Sequence, residues 1–215
     1  MNNTQNDHEM TRDDFTILSK ETVYQGYFRM AKYCLKFKLY SGGWSEPITR
    51  EVFERGNSVA VLLFDPVLEQ VVLVEQFRTG CLNNESSPWT LELVAGSLAT
   101  DEIPRALAVR EAQEEAGCDI SNLIEIADVV VSPGGCSEKV TIFVANVDSS
   151  HAGGIHGLKE EHEDIRVIVK KVDEAYELIK SGKITTASTI IALQWLQLNY
   201  QQVRDKFLQK IDQIP

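Results

Sequence analysis

Cysteine is scarce and scattered in this 215-residue chain. The four, Cys34, Cys81, Cys118 and Cys136, include no pair at the spacing of a zinc or redox motif. That argues against a disulfide framework and for reduced thiols, as in a cytoplasmic protein. Long apolar runs are also missing. Stretches such as VVLV and IIAL are far shorter than the roughly 20 residues a membrane-spanning helix needs. The opening residues, MNNTQNDHEMTRDD, have no apolar segment of the signal-peptide kind. Positive charge is in short supply: 21 Lys and Arg stand against 32 Asp and Glu, a net charge of -11. Such a chain repels the phosphate backbone, so neither nucleic acid nor a membrane is expected as a partner. There is no internal repeat and no low-complexity linker. A hydrophobic share of 43% and a charged share of 25% fit a soluble globular chain. Acidity leaves one phosphorylated partner open: a small substrate with cations between its phosphates and the protein's carboxylates.

The hydrophobic pattern predicts an α+β protein. Residues 1 to about 13 read as frayed. ETVYQGYFRMAKYCLKFKLY alternates like a strand, SGG at 41–43 reads as a hairpin turn, and EPITREVFERG follows as a further strand. SVAVLLFDP and QVVLVEQFR are strands around a turn at Asp65 and Pro66, and TLELVAGSL is a short strand. IADVVVSPGG, KVTIFVANV and DIRVIVKKV complete the strands. DEAYELIKSG and STIIALQWLQLNYQQVRDKFLQKI read as helices. Two domains are expected: a β-rich unit over 1–56 and a larger one over 57–215. The first is too small to bury much apolar surface alone, so it is expected to pack on the main domain, a second subunit, or both.

The segment GSLATDEIPRALAVREAQEEAGC, residues 96–118, carries the chemistry. Pro104 suits a first helical turn and Gly117 a left-handed cap. Ala106, Val109, Ala112 and Ala116 supply an apolar stripe. Glu111 and Glu115 are four apart and Glu114 is three from Glu111, so the three carboxylates are expected to converge. Like charges at this spacing repel. A solvated face would carry Lys partners, yet Arg110 is the one cation among residues 106–118. Oxygen ligands at helical spacing suit Mg²⁺, which would relieve the repulsion.

This segment resembles the Nudix box, GX₅EX₇REUXEEXGU, where U is bulky and apolar. Gly96, Glu102, Arg110, Glu111, Glu114, Glu115 and Gly117 occupy its fixed positions. Ala112 and Cys118 are smaller than usual at two apolar positions, which bears on packing rather than metal binding. The resemblance implies a Nudix fold, a mixed β-sheet sandwiched between helices, and Mg²⁺-dependent hydrolysis of a nucleoside diphosphate linked to another moiety. It implies Glu111 and Glu115 as principal metal ligands, Glu114 as an assisting one, Arg110 as the group orienting them, and Glu102 as a tie for the loop.

The likeness extends over nearly the whole chain, through ETVYQGYF, REVFERG, VVLVEQFR, PWTLELVAG, SPGGCSE, GIHGL, EEHEDIRV and TTASTIIALQWLQ. These resemble the bacterial-type, homodimeric ADP-ribose pyrophosphatase branch, as does Pro133, 15 residues beyond Cys118. That resemblance implies two or three Mg²⁺ ions, with Mn²⁺ as a substitute. It implies the carbonyl of Ala95 and the carboxylate of Glu163 as further ligands, and Glu161 as catalytic base, with Glu160 one position away. Arg78 is expected at the phosphates. Ser97, Ser132 and Glu138 are expected near the terminal ribose or phosphates. Tyr27, Phe28, Arg50, Glu51 and Arg55 are expected to hold adenosine across a dimer interface. An N-terminal dimerisation unit with shared active sites is implied as well.

Taken alone, Tyr27 and Phe28 also read as core aromatics, and Arg50 and Arg55 as exposed strand charges. His156 and His162 read as loop residues, and Trp44, Trp89 and Trp195 as packing residues. If the EEHED loop is extended, alternation turns Glu161 and Glu163 to one side. Hydrolysis of another nucleotide sugar such as GDP-mannose, and a nucleotide-sensing Nudix module, stay open as alternatives.

Overall fold

A computed structural model describes residues 9–83 and 87–211 of the chain. The expected frayed start falls largely on residues 1–8, outside the described ones. Residues 9–13 lead into an ordered turn. Thr11 caps a short 3-10 turn, Arg12–Asp14, and its own N–H donates to Asp14 Oδ2 at 2.8 Å.

Two compact units emerge. One holds the chain up to Arg55 together with Ser132–Glu138. It is a three-stranded antiparallel sheet of β1 (Phe15–Gln25), β2 (Arg29–Phe37) and β3 (Ile48–Glu54). The alternating segment expected to form strand structure is a hairpin of β1 and β2. The chain reverses after Gly26, whose N–H donates to the Phe28 carbonyl at 3.0 Å. Alternation continues through the turn, which hides it in the sequence. The segment 132–138 is tied to β3 by backbone hydrogen bonds, Phe53 N–H to Gly135 O at 2.8 Å and Ser137 N–H to Phe53 O at 3.1 Å.

The second unit, Gly56–Val131 with the chain from Lys139 onward, is built on a mixed sheet. Its strands are β4 (Ser58–Asp65), β5 (Gln70–Phe77), β6 (Trp89–Glu92), β7 (Val94–Ser97), β8 (Ile120–Val130), β9 (Lys139–Val147), β10 (Ile155–His156) and β11 (Ile165–Lys171). The main path runs β10-β11-β5-β4-β9-β8, with only β4 and β9 parallel. Helices α1 (Pro104–Ala116), α2 (Val172–Lys180) and α3 (Ala187–Ile211) complete it. Among the described residues no helix is long and apolar enough to cross a membrane.

β4 shows how the sheet is filled on both sides. Val59, Val61 and Leu63 join Leu107, Ala108, Ala112 and Ala116 of α1 in one apolar cluster. Ala60, Leu62 and Phe64 join Leu193, Leu196 and Phe207 of α3 in another. Successive side chains of a strand point to opposite faces, so a continuous apolar run serves both layers. Each large apolar side chain buried here contributes about 1.5–3 kcal/mol. The stripe expected from Ala106 and Val109 is corrected: both are exposed, and Leu107 and Ala108 take their place beside Ala112 and Ala116. Glu111 and Glu115 share this inward arc. Trp89 and Trp44, expected to pack, are 55% and 41% exposed, whereas Trp195 lies against the α3-side core.

β4 and β5 pair directly only from Leu63 to Asp65, opposite Val72 to Gln70. Beyond that they diverge, β6 pairing with β5 and β7 with β4. TLELVAGSL is therefore two strands broken at Leu93, which passes from one to the other. The N–H of Leu93, at the break, donates to Thr189 Oγ1 of α3 at 3.2 Å, and Thr186 Oγ1 lies 2.7 Å from the same oxygen. Thr189 is fully buried, so no water replaces it. Thr189→Val keeps the shape and removes the acceptor. It is expected to lower unfolding stability by about 1–3 kcal/mol, measured by denaturant titration, whereas Thr189→Ser retains most of it.

Candidate active site

The break between β6 and β7 places backbone groups against α1. Ala95 N–H donates to Glu115 Oε2 at 2.8 Å, and Gln76 Nε2 lies 3.5 Å from Glu115 Oε1. Glu115 is 2% exposed. Glu111 approaches β7 at Gly96, where any Cβ would overlap its carboxylate. This close approach accounts for the first glycine of the motif. Gly117 closes the helix in a left-handed conformation, φ 60°, its N–H donating to Gln113 O at 3.0 Å.

Arg110 is the cation shared by the motif's outer carboxylates. Its guanidinium lies 3.3 Å from Glu102, 3.2 Å from Glu111 and 2.7 Å from Glu114. Glu102 also accepts the Ala99 N–H at 3.1 Å, joining the loop to the helix. Glu114 pairs with Arg110, which also reaches Glu111, and Glu114 acts electrostatically on Glu111; Glu115 faces the sheet.

Glu161 ends a 3-10 turn, Lys159–Glu161, and His162 follows in a left-handed conformation, φ 59°. The segment is not extended, so simple alternation does not relate Glu161 to Glu163. Glu163 instead folds back and accepts the Leu158 N–H at 3.0 Å. Gly157, at φ 99°, sits where a Cβ would strike Glu163, and its N–H donates to the Glu114 carbonyl at 3.1 Å. The loop is thereby bonded to the end of α1. His156, expected as a plain loop residue, lies in β10, and its ring sits against Gly117.

The electrostatics follow from burial. Desolvation pushes the Glu115 carboxyl up to about 8, with Glu111 and Glu163 adding to the rise against the Ala95 N–H and Arg78. Desolvation also pushes Glu111 up to about 7; Arg110 opposes this, and Glu114, Glu163 and Glu161 add to it. Five carboxylates thus share one electrostatic environment.

Arg78 belongs to this environment, raised in proton affinity by Glu92, Glu115 and Glu163 against the opposing effect of burial. Its Nε and Nη2 both donate to Glu92, the latter at 2.9 Å. Glu92 went unnoticed in the sequence. The available signal was Thr90 and Glu92 two apart in a short strand, hence on one face. Ser97 is exposed at the end of β7, paired with Ser58 across the ladder.

The first unit gathers a second group. Phe28 lies edge-on to Phe53 at 5.1 Å between ring centres, with the Arg55 guanidinium 5.6 Å from its ring centre. Arg55 pairs with the buried Glu138 at 3.0 Å. Tyr27, edge-on to Phe28, is 92% exposed and not a core aromatic. Ser132 is exposed at the start of the 132–138 segment. Arg50 and Glu51 lie further along β3, opposite Tyr33 and Lys32, and the strand spacing sets their backbones about 10 and about 7 Å from Phe53.

Among the described residues no three His, Cys, Asp or Glu side chains stand ready to hold a metal ion. Arg110 contacts Glu111 and Glu114, and the N–H groups of Ala95 and Leu158 donate to Glu115 and Glu163, each bond engaging one oxygen. The donor set nevertheless fits a hard divalent cation. It is all oxygen, and desolvation disfavours the bare negative charge of Glu111 and Glu115, which a cation would offset.

These shifts make the metal-free fold sensitive to pH. Both glutamates have proton affinities raised above the ordinary 4.5, so they weaken the fold as pH rises from there to about 8. Below that window both folded and unfolded chains hold the protons; above it the penalty is complete. In metal-free protein Glu115→Gln is expected to melt above wild type at pH 8.5, with a gap that shrinks at pH 5. Equal melting temperatures at both pH values would contradict this.

The NUDIX domain model matches residues 54–190. The chain is 43% identical over 200 residues to the ADP-ribose pyrophosphatase of Haemophilus influenzae, covering 92% of each chain. It is 42% identical over 196 residues to that of Escherichia coli K12, covering 91% of this chain and 94% of the relative. A GDP-mannose pyrophosphatase of Escherichia coli is 34% identical over 152 residues, 70% of this chain and 78% of that one. The crystal structure of an ADP compounds hydrolase superposes with a TM-score of 0.64 at 21% identity, over 88% of this chain and 97% of that one. The α+β architecture is that of this neighbour, and the chain belongs to the Nudix family.

Proposed function

We propose that this chain hydrolyses the pyrophosphate of ADP-ribose to AMP and ribose 5-phosphate, with two or three Mg²⁺ ions bound, in the cytoplasm. The observation that carries the chemistry is the pair on one face of α1, Glu115 buried and Glu111 partly buried, both raised in proton affinity by desolvation although Arg110 lies beside Glu111 and Arg78 near Glu115. Support for the substrate comes from the relatives named ADP-ribose pyrophosphatase, which align over nearly their full length. The GDP-mannose relative aligns over less of the chain.

Glu111, Glu115, Glu163 and the Ala95 carbonyl would hold the ions, with Glu114 assisting once it leaves Arg110. Bound Mg²⁺ supplies charge neutralisation of the pyrophosphate and acidifies a water molecule. Glu161, exposed at its 3-10 turn, accepts the proton as the water oxygen attacks phosphorus. The bond to the bridging oxygen breaks, and the leaving phosphate takes that oxygen with it. Arg78 binds phosphate oxygens through its guanidinium. Ser97, Ser132 and Glu138 contact the terminal ribose or phosphates.

Adenosine would be held by Tyr27, Phe28, Arg50, Glu51 and Arg55 in a homodimer with shared sites, residues 1–56 serving as its dimerisation unit and residues 57–215 as the hydrolase domain. Two observations support the dimer. Among the first unit's described residues Ala31 is the only buried apolar one, too little for an independent core. Tyr24 and Tyr27 on the same unit are 65% and 92% exposed.

A panel of nucleotide sugars assayed with Mg²⁺ for release of phosphate monoesters tests the reading. ADP-ribose is expected to show the highest kcat/KM in a protein that sediments as a dimer. A preference for GDP-mannose, or a fully active monomer, would overturn the corresponding part. In the same assay Glu161→Gln is expected to lower turnover by about 10²–10⁴ with little change in the Mg²⁺ requirement. Glu163→Gln should raise that requirement. If Glu160→Gln alone carries the turnover defect, Glu160 is the base.

A further inference from the structure

Arg78 is held by a built arrangement. Glu92 and Thr90 project from one face of β6, and Glu92 takes three contacts from Arg78 at 2.9, 3.1 and 3.2 Å. Thr90 Oγ1 donates to the other side of the same carboxylate. The Glu92 side chain is 12% exposed, so water competes little for it. A guanidinium has five N–H donors in one plane. Nε and one Nη2 hydrogen are engaged by Glu92, which leaves the Nη1 edge without an acceptor among the described residues.

The alternative partners for Arg78 are informative. Glu115 and Glu163 both lie within its electrostatic reach. A guanidinium released from Glu92, on its flexible stem, would be drawn toward those carboxylates. It would then block the groups assigned to the metal and withdraw from the phosphates.

We propose that Glu92, steadied by Thr90, is a positioning residue that pins one edge of Arg78, presents the other edge to a substrate phosphate and keeps the guanidinium off Glu115 and Glu163. This rests on the reading of Arg78 as a phosphate-binding group. Glu92 touches neither substrate nor metal; it acts through Arg78. A bidentate charged pair of this kind is stronger than a neutral hydrogen bond and fixes orientation as well. Glutamine at 92 keeps the size but not the effect, because its amide nitrogen is a donor facing another donor.

The test is a double-mutant cycle of Glu92→Gln and Arg78→Ala with two readouts. The first is calorimetric binding of an ADP-ribose analogue whose bridging oxygen is replaced by methylene, with Mg²⁺ present. The second, made without substrate, is the Mg²⁺ concentration giving half of the full thermal stabilisation. Glu92→Gln is expected to weaken analogue binding by about tenfold to a hundredfold. It is also expected to raise the Mg²⁺ concentration, because the released Arg78 competes for the carboxylates. Both effects should vanish in the Arg78→Ala background. Thr90→Val, a milder change, should move both readouts in the same direction by less and guards against simple unfolding of the Glu92 variant. Effects that persist undiminished without Arg78 would overturn the proposal and make Glu92 a direct ligand. A folded Glu92→Gln protein behaving as wild type in both readouts would overturn it too. Failure of the wild type to bind the analogue would count against the substrate reading, while the substrate-free Mg²⁺ readout still decides the role of Glu92.

Discussion

The hydrogen bond from Ala95 N–H to Glu115 is the constraint from which the site is built. It holds a carboxylate inside the apolar contact between α1 and the sheet, where water is excluded. One N–H donor does not offset the desolvation of a full negative charge, so the group's proton affinity climbs. Glu111, one helical turn earlier, sits in a milder version of the same position, admitted only because residue 96 has no side chain. The helix therefore carries two carboxylates on its inward arc; Glu115 has no ion pair among the described residues, and Glu111 shares Arg110 with Glu102 and Glu114.

The short span 92–95 does more organising than its length suggests. Glu92 pairs with Arg78 beyond β5, Leu93 N–H bonds to Thr189 of α3, and Ala95 N–H bonds to Glu115 of α1. Three elements distant in sequence are thus referenced to one break between two strands. That break exists because β4 and β5 separate, and each then needs a new partner for its backbone groups. A local disruption there would move Arg78 and the buried Glu115 together.

What was legible in the sequence follows from locality. The α1 segment was readable because its punctuation and chemistry fall within a few turns: Pro104 at the start, Gly117 at the end, and glutamates at helical spacing. Most strands of the second unit were readable from apolar runs. The turn at Gly26 was not, because alternation is preserved across it. The membership of 132–138 in the first unit was hidden too, since it depends on backbone bonds to Phe53, far away in the chain. The inward arc of α1 was placed wrongly at Ala106 and Val109 because alanines surround it and only packing selects among them. Arg110, four residues before Glu114, stands within ion-pair distance of it, as helical spacing allows. The role of Glu92 depends on strand pairing, which brings Thr90 opposite Gln76 and so sets β6 beside the end of β5. The loop around His162 takes a left-handed turn without a glycine, a conformation that sequence pattern does not announce.

The central claim of the proposed function is that Glu115 and Glu111, raised in proton affinity by desolvation, give up protons as a divalent cation binds. Calorimetric titration of Mg²⁺ into metal-free protein, repeated in buffers of different ionisation enthalpy, measures that exchange directly. With Glu111 near 7 and Glu115 near 8, binding at pH 6.5 is predicted to release more than about one proton per site, and binding at pH 9.5 almost none. Mg²⁺ binding with no proton release at pH 6.5, or no Mg²⁺ binding in this range, would contradict the account.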